Sequence, residues 1–356
     1  MTPSRLSSRV SYFDRLRVLA MIGVILIHVS ALYLEELAAG GQPLGAAWHI
    51  ANFLDAFSRF AVPVYLMITG ALLLPRDDSL SLAVIAKKRI PRVAVPLLFW
   101  SAVYILLQTC LVKDYRPLEA VKNLFSSPAE DHLWYLYALI AVYLLLPLLR
   151  LIVKHASRQL IIYILLLWVV FSSLWRAAAG LIPALLLPGY ANLDILGGYV
   201  GYVLLGHVLH TAKKTPSAAL SAGIFALCGL FTAGATWFMT RRAGELNGVF
   251  YQYFMPNVVI MAAAVFLFFR RLGEGQRDAG PVLTALSSLS FGIYLIHEVF
   301  IRLFHMAYAV LPAVAALPLA ILSTLAAALV CSFILIRIPY IRFVTLGESP
   351  LQKRGV

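Results

Sequence analysis

Four constellations in this sequence join side chains whose types and spacing suit chemistry, and all sit in or beside apolar runs. Arg17 and His28 are separated by VLAMIGVILI, ten residues without a polar side chain. At about 100° per residue the eleven steps end about 20° from their starting direction, so a helix presents both on one face. A rise of about 1.5 Å per residue sets them about 16 Å apart along the axis. Glu35, seven residues further on, returns to that face. Asp55 and Arg59 stand i, i+4, as do Glu298 and Arg302. Arg89 and Arg92 flank Ile90 and Pro91, and three residues apart they share a helix face. His297 adjoins Glu298, with Tyr294 one turn earlier. An imidazole accepts a proton near neutral pH, and a guanidinium matches phosphate two bonds at a time. Each set has a plainer alternative. The i, i+4 pairs serve equally as ion pairs between helices, and a membrane histidine often just bonds a neighbouring carbonyl. Trp134, beside His132, suits an interfacial aromatic anchor.

The elements that position these groups follow from composition. Of 356 residues, 62% are hydrophobic and only 13% charged. Mean hydropathy is +0.87. That balance excludes an ordinary soluble domain, and 43 aromatic residues exclude a disordered chain. Crossing a hydrocarbon layer takes about 20 apolar residues, and ten runs qualify. They cover 18–35, 51–74, 93–112, 133–150, 160–176, 195–211, 218–239, 250–269, 283–304 and 311–336. None shows period-2 alternation, so the spans are helices. The segment 177–192, with two prolines, is expected to lie at the interface. The fold class is therefore all-α, a polytopic helical bundle of about ten transmembrane helices. Residues 1–356 read as one membrane-embedded domain with no soluble domain, long linker or internal repeat.

The net charge of +13 has a membrane explanation rather than a nucleic-acid one. Assigning loops to alternate sides puts 21 Lys and Arg with the two termini and 7 on the other side, with Arg59 inside a span. Both termini are thus expected in the cytoplasm. No cleavable signal peptide is apparent, because the first apolar run lacks a small-x-small site. Cys110, Cys228 and Cys331 lie in apolar runs with no CxxC, so neither a disulfide framework nor a metal site is expected.

Topology also fixes depth. Arg17, Arg89 and Arg92 fall at the cytoplasmic boundary, where a phosphate could meet them. His28 lies about 10 Å from its outer end, Arg59 about 12 Å, and the Tyr294–Glu298 stretch about 9–15 Å. Independent spans have no reason to bury charge at one level unless a polar cavity lies there.

The segments FDRLRVLAMIGVILIH, SRFAVPVYLMITGALLL, KKRIPRVAVPLLFW, HLWYLYALIAVYLLLP, GGYVGYVLLGHVL and LSSLSFGIYLIHEVF together resemble the membrane-bound acyltransferase 3 family, in the right order along the chain. The likeness is to its short ten-span members. It implies a multi-pass bacterial inner-membrane enzyme transferring an acyl group, usually acetyl, from acyl-CoA to a hydroxyl of a cell-envelope or exported glycan. Acetyl-CoA would be a donor substrate, with no permanently bound cofactor. The implied partners are acyl-CoA, the glycan acceptor and membrane lipid, with no nucleic acid. Arg17 and His28 fall on the family's R-x10-H motif, and Arg89 and Arg92 on its R-x-x-R motif. His28 is then the catalytic base and the three arginines bind acyl-CoA. Arg59, Trp134, Tyr294, His297 and Glu298 are candidates to line the cavity, meet the acceptor or support the oxyanion, Glu298 alternatively orienting His28. No Ser or Cys is clearly placed beside His28 for a covalent acyl-enzyme. The competing function is a proton-coupled transporter or flippase of a glycan precursor, which gives the arginine cluster no role.

Overall fold

The computed structural model describes residues 10–39, 44–182, 185, 198–274 and 279–347. No strand occurs among them. In hydrocarbon only intrahelical bonding satisfies every backbone N–H and C=O of such a segment. Nine helical segments among the described residues are long and apolar enough to cross a membrane. They are Ser11–Ala38, Ala46–Leu73, Leu82–Leu111, Asp131–His155, Arg158–Gly180, Ala218–Ala243, Val249–Leu272, Pro281–Tyr308 and Ala313–Leu335. The expected span over 195–211 appears as Val200–Thr211, whose 12 residues reach only about 18 Å. Residues 195–197 lie outside the described part, as do Arg5, Arg9, Arg277, Lys353 and Arg354. The expected interfacial segment is corrected at its start, since Arg176–Leu181 continues the fifth span as helix. Most of 183–192 lies outside the described residues.

The helices that matter below are α1 (Ser11–Ala38), α2 (Ala46–Ser58), α3 (Ala61–Leu73), α4 (Pro91–Leu111), α5 (Trp134–His155), α6 (Val200–Thr211), α7 (Ala218–Ala243), α8 (Pro256–Leu272) and α9 (Pro281–Tyr308). Helix α1 is the central post, packed against α2, α3, α8 and α9. Leu16, Ala20, Val24, Ile25 and Leu34 on it are all buried. The second span is not continuous. Pro63 has no N–H for the carbonyl of Arg59, so the ladder opens at Arg59–Phe60 between α2 and α3.

Helices α3 and α6 cross unusually closely. A Cβ at Gly70 would fall 1.8 Å from the Val203 carbonyl oxygen, and one at Gly206 2.1 Å from that of Met67. Two glycines facing two backbones let the short α6 bury itself against α3. On the outside of the bundle Leu106, Leu227 and Leu322 are about two-thirds exposed, as a lipid-facing belt requires.

Loops that the charge count assigned to one side meet at one end of the bundle. There Tyr12 bonds His210 at 2.6 Å, Arg150 reaches Asp77 at 3.0 Å, and Arg270 donates to the carbonyls of Leu209 and Ala212. At the opposite end His305 meets Glu36 at 2.8 Å and Arg302 meets Glu130 at 2.6 Å.

Candidate active site

Arg17 and Arg89 line one cavity of about 280 Å³. Its walls come from α1, α3, α5 and α9, with Tyr65, Tyr135, Tyr143, Ser290 and Tyr294 facing in. Arg17 is held there by Asp14, a fully buried carboxylate 3.1 Å away that also accepts from Ser287 at 2.6 Å. The Tyr65 hydroxyl donates to the Arg17 carbonyl at 3.1 Å, tying α3 to α1.

Arg89 arrives by a route that simple helical spacing did not foresee. It ends a π-helical turn, Ile85–Arg89, and α4 begins afresh at Pro91. Single π turns re-aim side chains, and the proline cannot supply the N–H that would continue the ladder. As a result Arg89 lines the cavity while Arg92 stands exposed and outside its lining. The expectation that the two share one helix face is corrected accordingly. Arg89 reaches Asp78 at 3.4 Å and leaves its Nε buried with no partner. A hydrogen bond from Arg76 holds the Asp78 carboxyl below its usual range, and Arg89 and Lys88 add to this. Asp78 is therefore an anion in contact with Arg89 at neutral pH.

Tyr294 is the wall between this cavity and a second polar centre. Its ring lies 5.9 Å from that of His297, and its hydroxyl donates to the His132 carbonyl. Around His297 stand His28 at 5.1 Å and His132 at 5.0 Å, centroid to centroid, with His28 and His132 6.1 Å apart. Three elements supply these imidazoles: α1, α9 and the short turn Asp131–Leu133 before α5.

The hydrogen bonding at His297 fixes its tautomer. Nδ1 lies 2.5 Å from the Tyr294 carbonyl, which can only accept, so Nδ1 carries the proton. The lone pair of Nε2 then points into the buried cluster, where it has no protein partner. Glu298 places Oε1 3.8 Å from Arg302, and its Oε2 is buried without a partner. Arg302 makes its shorter contact with Glu130, which also accepts from Gln108 at 2.8 Å.

Ligand atoms of His28, His297 and Glu298 all lie within 4.8 Å of one another. Those three residues have donors suited to a divalent cation. Tetrahedral zinc at 2.0–2.1 Å brings its ligands to about 3.4 Å from each other, within the 4.8 Å bound of this cluster. The same spacing admits one substrate oxygen between acid–base groups.

Two expected members make their direct contacts elsewhere, although the Arg59 charge is close enough to act on His28. Arg59 makes two bonds to Asp55, one of 2.6 Å between Nη2 and Oδ2, and its Cζ lies 4.2 Å over the Tyr251 ring. Trp134 packs at a tilt against Tyr199 at 5.1 Å and Tyr253 at 5.6 Å. The residue that sequence reasoning passed over is His132, named only as a neighbour of Trp134. Its place at the outer end of a span, on the side of the membrane that His28 and His297 also approach, was the available signal. Asp14, which holds Arg17, was likewise not singled out.

Comparison with known proteins adds one finding. Residues 10–337 match the family model of an acyltransferase domain. No curated protein and no solved structure matches the chain.

Proposed function

The chain belongs to the acyltransferase 3 family, and from that premise we propose that it moves an acyl group, acetyl above all, from acyl-CoA to a hydroxyl of a cell-envelope or exported glycan. The observation that supports this most is the cavity shared by Arg17 and Arg89, which ends at the tyrosine beside the histidine cluster. A donor that is anionic at one end and reactive at the other fits such a path. Its phosphates rest on the guanidinium groups, and its pantetheine arm runs along α1 to bring the thioester to His28.

In this reading His28 takes the proton of the acceptor hydroxyl as its oxygen attacks the thioester carbon. The tetrahedral intermediate collapses with loss of the CoA thiolate, which recovers the proton from the imidazolium. The products are the glycan ester and free CoA. Glu298, His297 and Tyr294 shape the chamber, and Trp134 braces its rim. The test is transfer of radiolabelled acetyl from acetyl-CoA into the glycan fraction of membranes containing the protein. Label appearing only with the gene present supports the reading, and equal label without it removes the reading.

Arg89→Ala should weaken acetyl-CoA binding about tenfold to a hundredfold, the range for a lost charge-assisted bond of about 1.5–3 kcal/mol. The rate at saturating donor should change by less than about threefold. Arg92→Ala, outside the cavity, should do less. Calorimetric titration of the purified variants with acetyl-CoA measures both, and an Arg89→Ala protein with unchanged affinity would move the phosphate site elsewhere.

The same reading places both termini in the cytoplasm of a bacterial inner-membrane protein, because acyl-CoA is cytoplasmic and the basic loops gather at the cavity mouth. Reporter fusions at residues 10 and 347 should both report inside, and a fusion in 113–131 outside. The reverse pattern would refute the orientation.

A further inference from the structure

His132 combines a tightly fixed backbone with an unpartnered side chain. It belongs to a three-residue turn, Asp131–Leu133, which an N–H bond of 2.9 Å from Leu133 to the Glu130 carbonyl closes. The Glu130 carboxylate is clamped by Arg302 at 2.6 Å and Gln108 at 2.8 Å. Tyr294 bonds the His132 carbonyl from the other side. Four rings surround the imidazole, those of His28, His297, Tyr104 and Tyr294, at 5.0 to 6.1 Å. The residue is 2% exposed, yet neither ring nitrogen makes a close hydrogen bond; the Leu295 carbonyl within its reach already accepts from Tyr104 at 2.8 Å.

An imidazole in any protonation state carries at least one N–H. Burying that donor unpaired costs free energy, and a buried polar group left so calls for an explanation. Here the surroundings hold the donor still, and the one carbonyl within its reach is shared with Tyr104, which is how a site awaiting a better acceptor, a substrate oxygen, is built. Most nearby donors are committed elsewhere, the Nε of Arg302 being the exception. Arg59 is paired with Asp55, Nδ1 of His297 with the Tyr294 carbonyl, and Arg302 with Glu130.

We propose that His132 donates its ring N–H to the thioester carbonyl oxygen and stabilises the oxyanion that forms there. This rests on the acyl-transfer reading above and adds a second catalytic imidazole to it. As the acceptor oxygen bonds to the carbonyl carbon, the C=O electron pair moves onto oxygen, which the N–H holds. The pair returns when the C–S bond breaks and the thiolate leaves with the proton that His28 held. His132 itself ends the cycle with the proton it began with. Its requirement is a donor, whereas that of His28 is a base.

That difference separates the two experimentally. In radiolabelled acetyl transfer from acetyl-CoA, His132→Ala should lower kcat about 10²–10³-fold, the usual loss for one oxyanion donor, with KM for acetyl-CoA within about threefold. His132→Gln, which keeps an N–H, should stay within about tenfold of wild type. Replacing the carbonyl oxygen by sulfur, in acetyl-dithio-CoA, should slow wild type markedly but His132→Ala much less, because sulfur is the poorer acceptor. A Gln variant as inactive as Ala, or an oxygen-to-sulfur effect equal in wild type and His132→Ala, overturns the proposal while leaving acyl transfer intact. So does a His132→Ala loss of rate matched by a fall in thermal midpoint that Gln restores, with unchanged sulfur discrimination. Wild-type protein without any acetyl transfer removes the parent reading and this one together.

Discussion

His28→Ala protein should insert, bind acetyl-CoA with near wild-type affinity and lose acyl transfer by at least 10²–10⁴-fold, the usual contribution of a general base. Its imidazole is the one on α1, half-buried, with the rings of His297 and His132 at 5.1 and 6.1 Å. The arginines of the cavity lie on other turns and other helices, so removing the imidazole leaves the phosphate contacts in place. His28→Gln keeps a hydrogen-bonding group of similar reach but cannot take a proton, so it should be nearly as inactive. A histidine that merely satisfied a neighbouring carbonyl would behave in the opposite way, with Gln restoring function and Ala lowering the yield of folded protein. Acetyl-CoA titration and radiolabel transfer on the same preparations distinguish the two. An active His28→Gln enzyme would pass the role to His297, whose Nδ1 proton is fixed by the Tyr294 carbonyl and whose Nε2 lone pair faces the cluster.

Helical period and hydropathy carry face and depth, and both were readable for Arg17, His28 and His297. The ten-residue spacing on α1 and the common level of the charges pointed to one polar centre, which α1 and α9 form by packing together. What period does not carry is which neighbour each face meets. His132 reaches the centre from a three-residue turn whose position depends on Arg302, Gln108 and Tyr294, none of them near it in sequence. Arg89 and Arg92 share a face only on an unbroken helix, and the π turn before Pro91 ends that premise. Pro63 was visible in the second span, but its consequence, a ladder opened at Arg59, shows only once the chain is folded. The buried partner of Arg17, Asp14, is three residues away and still went unremarked, because near the end of a span an aspartate looks like an ordinary interfacial residue.

The opening at Arg59 leads to the second large effect, which falls on stability. Asp55 is fully buried and Arg59 is 15% exposed, joined by two charge-assisted bonds. Tyr251 packs against the guanidinium and bonds Asn52 at 2.5 Å, and Asn52 donates to the Ala233 carbonyl at 2.9 Å. One broken turn of helix thereby anchors α2 to α7 and to the loop before α8. Removing one partner of a buried pair strands the other, which costs about 3–5 kcal/mol, so Asp55→Ala should lower the thermal midpoint in detergent more than any exposed substitution. Replacing both, as Asp55→Leu with Arg59→Met, leaves no stranded charge and should recover most of that stability. Because Arg59 spends its donors on this anchor, the double variant should also recover acyl transfer to within about tenfold of wild type. A double variant that is stable but has lost transfer by 10² or more would return Arg59 to the chemistry. It would then compete with His132 for the oxyanion, and the sulfur-substituted donor would decide between them.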